Sequence, residues 1–193
     1  ADSTIVVFNS NAPDSLEIAQ YYAQQRGIPE SNIVSISAPI QETISVNQYV
    51  ESIANPLLNV LLDNTWVKGL KSNSRDIYGR DRLSVSIHSI AFVVLIRGVP
   101  LRIANDSSQI GEAPTSLPAQ YYVNNSSVDS EVALLLGLPS ASMTAILPNP
   151  YYGKDTVSDM DANRVLKVSR LDGPTKSDVL RLIDRTMEAE KVG

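Results

Sequence analysis

Arg97 and Arg102 bracket the turn Gly98-Val99-Pro100-Leu101, directly after an apolar run. A guanidinium fork in that position can clamp a carboxylate or a phosphate through paired N–H donors. Asn9, Ser10 and Asn11 follow the first apolar run, and Arg170 with Asp172 ends the last. In open α/β sheets ligands sit outside the carboxyl ends of the strands. The ligand-binding residues predicted on this basis are Asn9, Asn11, Arg97, Arg102, Asp129, Glu131 and Asp172. Backbone N–H groups at the start of the first helix would assist an anion there. The competing expectation is that the arginines pair with Asp14 or Asp172 and only brace loops. A further expectation is that Arg97, leaving a buried strand, is held by Asp14, Asp129, Glu131 or Asp172, because an unpaired charge there is costly.

Asp129-Ser130-Glu131 has the composition of a hydrolytic cluster with Ser130 as nucleophile, which would need a base close by. The single histidine, His88, precedes the central apolar run and belongs at the opposite end of the sheet. Helix capping by Ser126 or Ser127, with Asp129 favouring the helix dipole, explains the same residues more simply. A carboxylate pair drawn from Asp129, Glu131 and Asp172 is the basis of an alternative, hydrolase-like function with an acidic, metal-assisted site. No catalytic residue is assigned. Asp159-Met160-Asp161-Ala162-Asn163 matches the opening of a calcium loop, but Arg164 stands where glycine is needed and Arg170 where the bidentate glutamate belongs. A looser site on Asp155, Asp159 and Asp161 competes with a solvated acidic loop, and no metal is assigned. Neither Gly-x-Gly-x-x-Gly nor a phosphate-binding loop occurs, so no cofactor is expected. Tyr121-Tyr122 and Tyr151-Tyr152 suit either a contact surface or the covered edge of a core.

The elements that must position these residues follow from the apolar pattern. Ile90 to Ile96 is an unbroken apolar run rich in Cβ-branched residues, as in a strand covered on both faces. It predicts the central strand of a parallel sheet, stopped by Gly98 and Pro100. Thr4 to Phe8 reads as the first strand and residues up to Arg26 as a helix, with Leu16, Ala19, Tyr22 and Ala23 inward and Gly27 as its stop. A second strand around Asn32 to Ser37 completes a right-handed β-α-β unit. Ser45 to Gln48 reads as a capping box. Val46, Tyr49, Val50 and Ile53 turn inward behind it. Asn55-Pro56 is expected to break or kink the helix before Leu57, Val60 and Leu61. Lys68 to Ser86 reads as an exposed, mobile insertion, and Ala104 to Ser127 as a long irregular loop. A helix from Ser127 to Leu136 is closed by Gly137, Arg164 to Leu171 reads as a strand, and a last helix faces Val179, Leu182, Ile183 and Met187 inward.

The 193 residues, 43% hydrophobic and 19% charged, suit one globular domain over 1–193. A net charge of −5 argues against nucleic acid. No apolar run approaches the roughly 20 residues of a membrane helix, so the chain is not expected to be transmembrane. The absence of cysteine excludes thiolate chemistry and disulfides within this chain. The fold expected is α/β and three-layered, a mainly parallel sheet with helices on both faces in a flavodoxin-like or caspase-like arrangement.

Several phrases taken together resemble an uncharacterised, exported bacterial family associated with the exosortase sorting system. They are Asn9-Ser10-Asn11 with Ser15, Tyr21-Tyr22, Arg26-Gly27-Ile28-Pro29, Glu42-Thr43-Ile44-Ser45, Arg97 to Ile103, Val128 to Glu131 and Arg170 to Thr175. The resemblance spans nearly the whole chain, although Lys68 to Ser86 fits it poorly. It implies export to the periplasm or outside, and that the chain is the N-terminal part of a longer protein. The function expected is a binding or accessory module of the cell envelope, with a small molecule or envelope component as its partner.

Overall fold

The computed structural model describes residues 1–109, 123–137, 153, 155–156 and 165–192. The predicted tyrosine pairs and the acidic cluster at Asp159 and Asp161 lie outside the described residues.

Four parallel strands form the central sheet in the order β2 (Ile33–Ile36), β1 (Thr4–Asn9), β6 (Phe92–Ile96) and β9 (Lys167–Leu171). The apolar run at the centre is internal, and the buried residues of β6 divide by parity. Val93 and Leu95 face one core together with Ile5 and Val7, while Val94 and Ile96 face the other with Val6 and Phe8. Side chains alternate across a strand, so a strand covered on both faces needs apolar residues at every position. Each fully buried Val, Leu or Ile contributes about 1.5–3 kcal/mol of burial. That is why this run reads so clearly.

One face is covered by α1 (Ser15–Arg26) and α5 (Lys176–Val192); the other by α2 (Val46–Tyr49), α3 (Asn55–Asp63) and α4 (Val128–Ala133). This is the three-layer α/β arrangement. Gly27 ends α1 at φ 60, its N–H reaching the Ala23 and Gln24 carbonyls. The Ser45–Gln48 capping box is present in both directions. Asn55-Pro56 does not break the chain of helices. Val50–Ala54 widens into a π-helical turn, with the Asn55 N–H bonded to Val50 O, and this wider turn precedes Pro56 in α3.

Two inward faces differ from expectation. In α1 the buried side chains are Ser15, Ile18, Ala19 and Ala23, and Leu16 is exposed. In α5 Val179 and Ile183 are buried, whereas Leu182 is exposed. Lys68 to Ser86 is not a loose insertion. It forms an antiparallel hairpin of β4 (Val67–Arg75) and β5 (Asp81–His88). Its turn is anchored: Asp76 accepts hydrogen bonds from Tyr78 N and Arg80 N, and Asn55 bonds Gly79 O and Asp81 N. Arg80 is buried there, paired with Asp76 at 2.6 Å and stacked over Tyr78. Short strands β3 (Thr43–Ile44), β7 (Arg102–Ile103) and β8 (Ser126–Ser127) make a third, small sheet.

Candidate functional site

The carboxyl ends of β1, β6 and β9 open on a crevice of about 380 Å³. Its walls are Ala12 and Pro13 after β1, Ile40 to Glu42 before β3, Arg97 to Leu101 after β6, and Asp172 to Pro174 after β9. This is the place predicted for a ligand, but the crevice gathers only part of the predicted set.

Arg97 stands in the wall. Its Nε donates to Gly173 O at 3.0 Å and one Nη to Pro174 O at 3.1 Å. The expected carboxylate partner is not found; no ion pair joins Arg97 to any described acid. Three of the four expected acids are engaged elsewhere or turned to their own backbone, and Asp14 makes no ion pair with Arg97. Asp129 is taken by Arg170, with Arg170 Nη to Asp129 Oδ1 at 2.5 Å. Glu131 is buried toward Arg80 at 4.0 Å, with its pKa pushed up by burial and drawn partly back by Arg80. Asp172 lines the crevice and accepts the Gly173 N–H at 2.8 Å. Two carbonyl acceptors use two of the three guanidinium nitrogens, and the other Nη makes no hydrogen bond among the described residues.

Asn9 lies behind the wall. It is wholly buried, and its Nδ2 donates to Ala38 O, Pro39 O and Gly98 O while its Oδ1 accepts from Asn11 N and Ala38 N. One amide thus ties the loops after β1, β2 and β6 together. Asn11 reaches away, to Ser37 Oγ and Ala38 O. Arg102 is exposed and pairs with Glu42 at 3.3 Å on the rim. Of the predicted ligand-binding residues, only Arg97 and Asp172 share the cavity.

Three further residues shape this end of the sheet. Ser15 is buried, accepting from Asn9 N and donating to Arg97 O at 2.8 Å. Gly98 adopts φ 95, and a Cβ there would come within 2.3 Å of Ala12 Cβ. Asp14 precedes α1 at φ 64 with no side-chain cap bond, a strained position for a residue with a side chain. Ser15 and Gly98 show themselves only when the strand ends meet.

Ser130 and His88 are not brought together. Ser130 Oγ meets the Ser127 hydroxyl that caps α4. His88 ends β5 on the amino side of the sheet, where its Nδ1 lies 2.6 Å from Ile90 O. Among the described residues no group of three His, Asp or Glu is placed to hold a metal ion. No helix of the described residues is long and apolar enough to cross a membrane.

Comparison with protein-family models, curated proteins and solved structures finds no match to this chain.

Proposed function

We propose that the chain is a binding module whose ligand carries an anionic group and docks in the crevice on Arg97. One observation carries this reading: a half-buried guanidinium forms part of a cavity wall, is fixed by two backbone carbonyls, and keeps an Nη free of protein partners among the described residues. A charge-assisted donor that is already oriented loses little entropy on binding. The volume lies within the range of small-molecule sites. The competing hydrolase reading needs Asp129 or Glu131 at the crevice, and both are committed elsewhere.

The resemblance of Arg97 to Ile103 and Arg170 to Thr175 to the exosortase-associated family supports placing this module outside the cytoplasm, as an envelope binding or accessory protein. Thermal unfolding with acetate and with inorganic phosphate tests the site. An anion raises the midpoint of the native protein, with about 2.7 kcal/mol of stabilisation at a hundredfold excess over Kd, and leaves Arg97→Met unmoved. Equal shifts in both proteins refute the site. Fractionation of cells producing the native protein tests its location.

A further inference from the structure

We propose that the ligand of this crevice is a zwitterion of the α-amino acid type, with its carboxylate on Arg97 and its ammonium on Asp172; the inference rests on the reading of the crevice as an anion-binding site.

The two charges are neighbours by register. Ile96 pairs with Leu171, and Arg97 N donates to Leu171 O at 2.8 Å. Arg97 and Asp172 are therefore the first residues past adjoining strand ends, with backbones about 5 Å apart. They line one cavity and do not pair with each other. Arg97 turns to the Gly173 and Pro174 carbonyls, and Asp172 Oδ1 takes its own following N–H. Among the described residues Asp172 has no cationic partner. A cation and an anion are thus held apart, each with hydrogen-bonding capacity left over.

The balance of charge in the wall favours a ligand of both signs. Arg97 is the cation of the lining, against Glu42 and Asp172. Glu42 has its own cation in Arg102 at 3.3 Å, but Asp172 has none. A simple anion on Arg97 would sit beside an uncompensated carboxylate and be repelled by it. An ammonium carried by the same molecule turns that repulsion into attraction. The rest of the wall sets the apolar Pro13, Pro100, Pro174 and Ile40, the last 63% exposed, beside Gln41. An aliphatic side chain placed there would cover Ile40.

Titration calorimetry with three probes decides the matter: L-leucine, 4-methylpentanoate, which lacks the ammonium, and 3-methylbutylamine, which lacks the carboxylate. The native protein is expected to bind leucine at least about tenfold more tightly than either analogue, equivalent to about 1.4 kcal/mol. Asp172→Asn should lower leucine affinity to that of 4-methylpentanoate without weakening the latter. Arg97→Met should abolish binding of both, with circular dichroism confirming that each variant is folded. If 4-methylpentanoate binds the native protein as tightly as leucine, the zwitterion proposal fails and the anion site stands. If none of the three binds, the zwitterion proposal fails while the acetate and phosphate shifts still decide the anion site; if the amine binds as tightly as leucine, the anion-site reading falls with it.

Discussion

Arg97 and Arg170 brace each other's turns. Arg97 leaves β6 and donates to the Gly173 and Pro174 carbonyls beyond β9, while Arg170 lies near the end of β9 and donates to the Val99 and Pro100 carbonyls beyond β6. The exchange closes the crevice floor without a side-chain ion pair between the two loops. Only Arg170 carries a carboxylate, Asp129, which brings α4 into the same brace.

The two arginines should therefore differ in their contribution to stability. Arg170→Met strands Asp129, which is about one-third exposed, so the loss should be about 2–3 kcal/mol, below that of a fully buried pair. Arg97→Met gives up bonds to neutral carbonyls at a half-exposed rim and should cost about 1–2 kcal/mol. Urea midpoints of the two variants measure the order. Arg97→Met proving the more damaging would mean that Arg97 has a carboxylate partner after all.

Asn9→Ala should be among the most destabilising single changes at this end of the sheet. It deprives three carbonyls and two N–H groups of a partner deep in the structure. Leaving buried groups unsatisfied costs about 1–3 kcal/mol each before water enters, so a loss of about 3 kcal/mol or more is expected. Chemical denaturation reads it directly. A loss under about 1 kcal/mol would show that the amide network is dispensable.

Gly98→Ala combines two faults, the left-handed φ of 95 and the contact with Ala12 Cβ at 2.3 Å. Ala12→Gly removes the contact and leaves the backbone strain, worth about 1–3 kcal/mol. The double variant should recover only part of the stability lost by Gly98→Ala. Full recovery in thermal unfolding would mean that the dihedral angle carries no penalty.

Glu131 supplies a pH dependence. Burial raises its folded pKa above the ordinary 4.5, with Arg80 opposing in part. The folded chain then holds this proton more tightly than the unfolded chain. Its stabilising share is complete below 4.5 and is lost as pH rises through the folded value. Glu131→Gln, which keeps the shape and cannot ionise, should show a shallower fall in stability over that window. Parallel urea midpoints against pH for the two proteins would assign the effect to another group.

What the amino-acid sequence determined by itself is the sheet and its order of burial. Ile90 to Ile96 is apolar at every position, and only a strand covered on both faces needs that pattern. Local chemistry with a fixed offset was equally legible: the Ser45 capping box, Gly27 after α1 and Ser127 before α4 are all interactions within a few residues. The hairpin is hard to read in the sequence because its lysines, arginines and serines mask the alternation at Leu83, Val85 and Ile87. Only the tertiary structure decided which charges meet. Arg97, Arg170, Asp129, Glu131 and Asp172 are all placed near strand or helix ends by the sequence, yet a guanidinium can donate to any nearby oxygen. The choice of Asp129 for Arg170, of Arg80 for Glu131 and of two carbonyls for Arg97 depends on loop paths 41, 51 and 76 residues apart in the chain. No local pattern encodes those distances.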